Sequence, residues 1–150
     1  MGLGALWSVS HFVSRLVSQL VEKCGARGAV VGARARGYLL YVQENKKLNN
    51  ADKLKAIDDL LPLLKQPPEK RLAVSALSSI PTAKTLDLLI SLADDPAIAE
   101  EASLAIVNVA TTKGLQGASK ETRRKALQTA IDKSRNDATR KKAGDALKAI

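Results

Sequence analysis

Residues 73–109 read AVSALSSIPTAKTLDLLISLADDPAIAEEASLAIVNV and contain one spacing of apolar side chains three times. The sets begin at Ala73, Leu86 and Ala102, and each occupies positions i, i+3, i+4 and i+7. Because an α-helix has 3.6 residues per turn, this spacing places all four side chains on one helix face. A proline stands between consecutive sets. The stretch therefore predicts three successive amphipathic helices.

The same spacing recurs on both sides of this stretch. Further sets begin at Ile57, Leu127 and Ala143, and the Leu127 set is weaker because Ser134 takes its fourth place. The six sets form three pairs, and in every pair the second set begins 16 residues after the first. Three copies of a helical hairpin predict an all-α fold, an α-solenoid of stacked antiparallel hairpins.

Composition divides the chain into two parts. Residues 1–32 contain an amphipathic helical candidate over residues 3–23 and the first part of a segment, residues 24–37, that is rich in Gly and Arg. Glycine at this density disfavours regular structure, so we predict a flexible loop with a helix resuming near Ala33. Residues 33–150 form the predicted solenoid, with about three and a half hairpins. The half hairpin is the second helix of an incomplete first pair, and its apolar set is Ala35, Tyr38, Leu39 and Val42.

Turn chemistry predicts where the helices begin and end. Pro62 should kink the helix that contains it, because proline removes one backbone hydrogen bond. Asp94-Asp95-Pro96 stands where a helix N-cap belongs, and Gly114–Gly117 should form a flexible turn. The predicted N-caps of the other helices are Asn50, Thr82, Ser119 and Asn136.

Short motifs recur in order along residues 33–150. They are Arg36-Gly37-Tyr38-Leu39, Pro67-Pro68-Glu69-Lys70-Arg71-Leu72, Ala76-Leu77, Ile80-Pro81, Leu92-Ala93-Asp94-Asp95-Pro96-Ala97 and the C-terminal Lys142 to Ile150. This series resembles the HEAT-repeat family, in particular HEAT segments near the C-termini of bacterial proteins. The resemblance implies right-handed stacking of helix pairs, a role in holding other proteins or domains, and no catalytic residues. Similar segments are often appendages of larger exported chains, so both an exported and a cytoplasmic setting stay open.

Composition argues against catalytic and metal chemistry. Aromatic residues make up 3% of the chain, Cys24 is its one cysteine and His11 its one histidine. A zinc site needs more such side chains than these two. A Ser–His–acid or Cys–His arrangement would have to use His11 or Cys24, and both lie within residues 1–32, outside the predicted solenoid. No phosphate-binding loop pattern occurs. No apolar run approaches the roughly 20 residues that cross a bilayer. We therefore predict no enzyme activity, no metal, no cofactor and no transmembrane segment.

The predicted function is a non-catalytic scaffold or spacer that binds a protein partner or an adjoining domain. Its contact surface is expected along the second helices of the hairpins, on exposed positions between the apolar sets. The candidate partner surface consists of Lys70, Arg71, Ser75, Glu100, Glu101, Ser103 and Arg140.

The alternative function is nucleic-acid binding through a basic C-terminal region. The chain has a net charge of +9, and residues 113–150 hold eleven basic and four acidic side chains. Basic side chains on a common surface contact phosphate groups. The candidate anion surface consists of Lys120, Arg123, Arg124, Lys141 and Lys142.

The amphipathic segment 3–23 allows three interpretations. Trp7 and Phe12 stand among several valines, with Arg15 on the polar side. Such a helix packs on a protein neighbour, lies on a membrane surface or stays disordered. We favour packing on the first repeat.

Overall fold

The computed structural model describes the backbone of residues 28–150 and the side chains of residues 35–150. Within this part of the chain there are seven α-helices, one short 3-10 helix and no strand. The all-α prediction is confirmed. The elements are α1 (Gly28–Glu44), α2 (Asn50–Leu60), the 3-10 helix (Leu61–Leu63), α3 (Pro67–Ser78), α4 (Ala83–Ala93), α5 (Ala99–Thr111), α6 (Lys120–Lys133) and α7 (Asp137–Lys148).

One continuous aliphatic core lies between the helices. Leu77, Leu86, Ile106 and Leu127 are completely enclosed, and each belongs to one of the predicted apolar sets. Full burial of such a side chain contributes about 1.5–3 kcal/mol through the hydrophobic effect. The apolar spacing in the sequence therefore marks the face on which each helix packs.

The helices contact one another in a regular order. α4 packs on α5, α5 on α6 and α6 on α7, and these are the most extensive contacts. Alternate helices also touch, namely α1 with α3, α3 with α5, α5 with α7 and α4 with α6. Among the described helices, the extensive contacts all join helices that are consecutive or one apart. Each helix thus buries its apolar face on neighbours that are close in sequence.

The first predicted hairpin, α2 with α3, differs from the other two. These helices have only slight contact, and α3 packs more extensively on α1 and on α5. The predicted kink at Pro62 is wrong, because α2 ends at Leu60 and the chain continues as the 3-10 helix. Proline lacks an N–H and clashes with the preceding turn, which stops the α-helical hydrogen bonds at this point. Leu64 is nevertheless buried, so the apolar face continues past the change of helix type.

The N-caps of three helices are those the sequence predicts. Side-chain oxygens of Thr82, Ser119 and Asn136 accept hydrogen bonds from backbone N–H groups in the first turns of α4, α6 and α7. For α2 the prediction is one residue late, because Asn49 is the cap and its Oδ1 accepts from the N–H of Asp52 at 2.8 Å.

Two other predicted boundaries are wrong. α1 begins at Gly28 rather than near Ala33, so a segment predicted as a loop is helical from its fifth residue on. The N-cap of α5 is Ile98, which makes no side-chain cap. Asp95 does not cap α5 but bonds within the turn before it, where its Oδ1 accepts a hydrogen bond from the N–H of Ala97 at 3.0 Å. A short Asx-type turn therefore precedes α5 in place of a side-chain N-cap.

The turn between α5 and α6 is bonded to the turn between α3 and α4. The N–H of Gln116 donates to the carbonyl oxygen of Pro81 at 3.1 Å, and the N–H of Ala83 donates to the carbonyl oxygen of Gln116 at 2.9 Å. Gly114 and Gly117 have φ angles of 87° and 71°, which glycine adopts without a side-chain clash. The segment predicted as a flexible turn is thus held by backbone bonds to the residues that begin α4.

Candidate interaction surface

Charged side chains in the first turn of α3 bond to residues at the start of the next hairpin's second helix. Lys70 Nζ lies 2.5 Å from Asp95 Oδ2, and Arg71 Nε lies 2.7 Å from Glu101 Oε1. Arg71 Nη2 also donates to the carbonyl oxygen of Ala97 at 3.2 Å. Pro67 is the first residue of α3, a position that proline favours, and Lys70 and Arg71 follow it near the start of the helix. The pairs connect α3 to α5 and to the turn before it.

The same kind of connection recurs one hairpin later. The Glu100 carboxylate, in the first turn of α5, accepts from the Ser134 hydroxyl at 2.8 Å and from the backbone N–H of Arg135. Asp94 Oδ1 lies 2.7 Å from Lys133 Nζ. α5 and the turn before it are therefore bonded to the turn between α6 and α7.

These bonds stabilise two carboxylates in their charged form. The N–H of Arg135 and the hydroxyl of Ser134 lower the pKa of Glu100 below its ordinary value. The Lys70 ammonium and the N–H of Ala97 lower the pKa of Asp95 in the same way. We call the bonded set the turn network. Its members are Lys70, Arg71, Asp94, Asp95, Glu100, Glu101, Lys133, Ser134 and Arg135.

The turn network includes four of the seven residues of the candidate partner surface. The charged groups of Lys70, Arg71, Glu100 and Glu101 thus bind other residues of the same chain. A partner that used these groups would compete with bonds that join the hairpins.

The other three candidates have different environments. Ser75 is exposed, and Arg140 is exposed with its Nη1 3.8 Å from Asp137 Oδ1. The prediction that Ser103 is exposed is wrong, because its exposure is 0%. α5 packs on α3, α4, α6 and α7, so less of its circumference faces solvent than an isolated hairpin would leave. Ser103 therefore lies outside any surface that a partner reaches in this fold.

The candidate anion surface is largely exposed. Lys120, Arg124, Lys141 and Lys142 face solvent, and Arg123 is half-buried. None of these five forms an ion pair with a carboxylate in the described residues. Lys141 and Lys142 are adjacent in α7 and project about 100° apart, so they do not share one helix face. The basic residues are available to an anion but are not arranged as a single strip.

Sequence reasoning missed three exposed apolar side chains. Leu40 and Tyr41 of α1 are 49% and 52% exposed, and Leu104 of α5 is 41% exposed. The signal was present in the sequence, because all three fall outside the apolar sets of their own helices. Such side chains are normal singly, and adjacent ones on one helix face point to a contact.

Tyr38 lies between the core and this exposed group. Burial, with smaller contributions from the charges of Asp59 and Tyr41, raises the pKa of Tyr38 to about 12. Its hydroxyl is enclosed and has no hydrogen-bond partner among the described residues. Tyr38 therefore stays neutral at ordinary pH and acts as a packing residue.

The described residues contain no group of three His, Cys, Asp or Glu side chains placed to hold a metal ion. No helix in residues 28–150 is long and apolar enough to cross a membrane. The predictions that concern His11, Cys24 and the segment 3–23 lie outside the described residues. No family model, curated protein or solved structure matches this chain significantly.

Proposed function

We propose that this chain is a non-catalytic protein-interaction scaffold or spacer, built as a HEAT-like α-solenoid. The observation that carries the proposal is which helices touch: the described helices pack on helices that are consecutive in the sequence or one apart. Stacked hairpins that pack in this way form extended surfaces instead of one enclosed pocket. A surface of that kind suits a partner that lies along several helices.

The same helix contacts support a division of the proposed solenoid into two rows of helices. In the first row α1 touches α3, α3 touches α5 and α5 touches α7, and in the second row α4 touches α6. In a solenoid each repeat contacts only its neighbours, and its stability is a sum of repeat and interface contributions. The proposed fold therefore makes the first row a continuous binding surface.

The proposed contact surface is an outer row of equivalent positions in the first row of helices. Each is the second residue after the start of an apolar set, and all three are exposed. Leu104 supplies an apolar contact in this row. The outer row consists of Ser75 in α3, Leu104 in α5 and Asp145 in α7. Shape and polar complementarity along this row would bind the partner, because the nearby charged residues belong to the turn network.

Site-specific photo-crosslinking in the native host tests this proposal. The photoreactive residue p-benzoyl-phenylalanine would replace Leu104 or Ser75, with exposed Gln128 in α6 as the matched control position. We expect one discrete protein adduct from both outer-row positions and none from Gln128. Equal adducts from all three positions would contradict a partner surface on the outer row.

Nucleic-acid binding is the second candidate, favoured by Lys120, Arg124, Lys141 and Lys142, which are exposed and form no ion pair within the part of the chain that the structure describes. Binding of duplex DNA should be measured as a function of salt, with Lys141→Ala/Lys142→Ala compared with Lys55→Ala/Lys65→Ala. A submicromolar affinity at physiological salt, with a steep salt dependence that only the first variant reduces, would replace the scaffold proposal. Weak binding that both double variants share equally would leave the scaffold proposal in place.

The proposal includes no catalytic role. Turnover of any substrate that disappears when one residue within 51–150 is changed, with the fold retained, would contradict it.

A further inference from the structure

The outer face of α1 is apolar and is not covered by the described residues. Leu40 and Tyr41 are half-exposed there, while Ala35, Leu39 and Val42 are buried on the opposite, core-facing side. A Cβ added to Gly37, one turn earlier on the outer face, would meet no atom within 4 Å. Another helix could therefore approach α1 closely at Gly37 and pack on the two large side chains.

The last helix, α7, can be compared with α1 at the equivalent outer positions. Aligning the apolar sets of α1 and α7 places Lys148 and Ala149 at the positions of Leu40 and Tyr41. Lys148 and Ala149 are both exposed. Terminal units of helical stacks need a polar outer surface to remain soluble. At these positions α7 and its C-cap have a charged and a small side chain, where α1 has two large apolar ones, so α1 has the character of an internal helix.

The segment that precedes α1 has a complementary apolar stripe. Residues 3–23 carry apolar side chains at Val9, Val13, Leu16 and Leu20, which share one side of a helix. Twenty-seven residues precede Gly28, and in the sequence Gly25 stands between this segment and α1. The segment is covalently attached, so its local concentration at α1 exceeds that of any separate molecule.

We propose that the apolar stripe of residues 3–23 covers the outer face of α1. Tyr41 lies 13 residues after Gly28, which is about 20 Å along the helix axis. A helix that runs back from Lys23 beside α1 reaches the same level near residue 10. Val9 and Val13 therefore face Leu40 and Tyr41, and His11 and Ser14 point away.

Disulfide trapping tests this arrangement in the full-length chain. In a Cys24→Ser background, Tyr41→Cys is combined with Val9→Cys or Val13→Cys, and with His11→Cys or Ser14→Cys as matched controls. Each control is within two residues of a test position, so chain length alone gives all four pairs similar encounter rates. We expect intramolecular disulfide to form at least about fivefold faster for the stripe positions, because only they bring the Cβ atoms within bonding distance. Equal rates for all four pairs, or disulfides mainly between two chains, would overturn the proposal.

Hydrogen exchange of the unmutated chain provides a second test that does not depend on the folding of a variant. Amides of residues 3–23 should exchange at least about tenfold more slowly than an unstructured chain, and equally so at low and high protein concentration. Unprotected amides would overturn the proposal. Protection that appears only at high concentration would also overturn it, because a second copy would then be the occupant.

Discussion

The apolar set of α5 lies within one helix, whereas the set that begins at Ile57 in α2 continues through the 3-10 helix to Leu64, and the two helices are buried to different extents. α5 packs on α3, α4, α6 and α7, and seven of its thirteen residues are buried. α2 has its main contacts with α1 and with the 3-10 helix that follows it, and four of its eleven residues are buried. The number of helices that lie beside a helix therefore decides how much of it is enclosed.

This difference predicts unequal stability along the chain. Regions with few buried contacts open locally at a smaller free energy than regions in the centre of the core. α2 is bonded to other helices mainly through exposed groups, such as the 2.9 Å pair between Asp58 and Lys84 and the 3.0 Å bond from Lys53 Nζ to the Gln43 carbonyl. Exposed ion pairs contribute about 0–1 kcal/mol each. The centre around α5 should therefore hold most of the stability.

The largest expected effect is the loss of a central core side chain. Ile106→Ala in α5 should lower the free energy of unfolding by about 4 kcal/mol, because Ile106 is fully enclosed and α5 is held in place by contacts with four helices, so the cavity cannot collapse. Ile57→Ala in α2 removes the same atoms from an equally enclosed position but should cost about 2 kcal/mol, because α2 has fewer neighbours to hold the cavity open. Urea denaturation followed by circular dichroism measures both. Equal losses would show that α2 and α5 are packed alike.

Helix caps should show a smaller difference in the same direction. Thr82→Ala removes the acceptor for the Thr85 N–H and the 2.9 Å partner of the Thr85 hydroxyl, which belongs to a fully buried residue. Its cost should be about 2 kcal/mol, at the upper end for caps, because the hydroxyl of Thr85 is left without its partner. Asn49→Ala removes an exposed cap from α2 and should cost about 0.5–1 kcal/mol. The shift in thermal midpoint compares the two, and a larger shift for Asn49→Ala would contradict the expected order.

The sequence predicts the helices well because their signals are local. Apolar spacing and capping residues such as Thr82, Ser119 and Asn136 depend on a few consecutive residues, and the structure has the helices where these signals occur. The start of α1 at Gly28 was missed, since glycine-rich sequence is a weak helix former that packing on α3 can override.

The candidate surface was less predictable, because exposure depends on which helices lie beside a residue. Glu100 and Ser134 are 34 residues apart, and nothing local in either segment indicates that they bond. Ser103 is a polar residue of a type that is usually exposed, but it is enclosed because α5 packs on four other helices. To predict such long-range contacts one must know which helices pack on one another, and the apolar spacing alone does not specify this.

The smallest expected effect concerns acid, and it separates the turn network from α2. The lowered pKa values of Asp95 and Glu100 mean that both carboxylates are more acidic in the folded chain than in the unfolded chain. Their contribution to stability is therefore complete above the unfolded-state values near pH 4 and is lost as the pH falls through the folded-state values. We expect the free energy of unfolding to decrease below about pH 4, and the decrease to be smaller in Glu100→Gln and Asp95→Asn.

Asp145→Asn provides the control for this acid effect, because Asp145 is exposed and forms no side-chain bond among the described residues. Its acid profile should follow that of the unmutated chain. Hydrogen exchange at pH 3 should show loosening at the start of α5, where Glu100 bonds to the turn before α7, and little change in α2, which has no member of the network. If α2 instead loosens first as the pH falls, the acid sensitivity arises from the weak packing of α2 and not from the turn network.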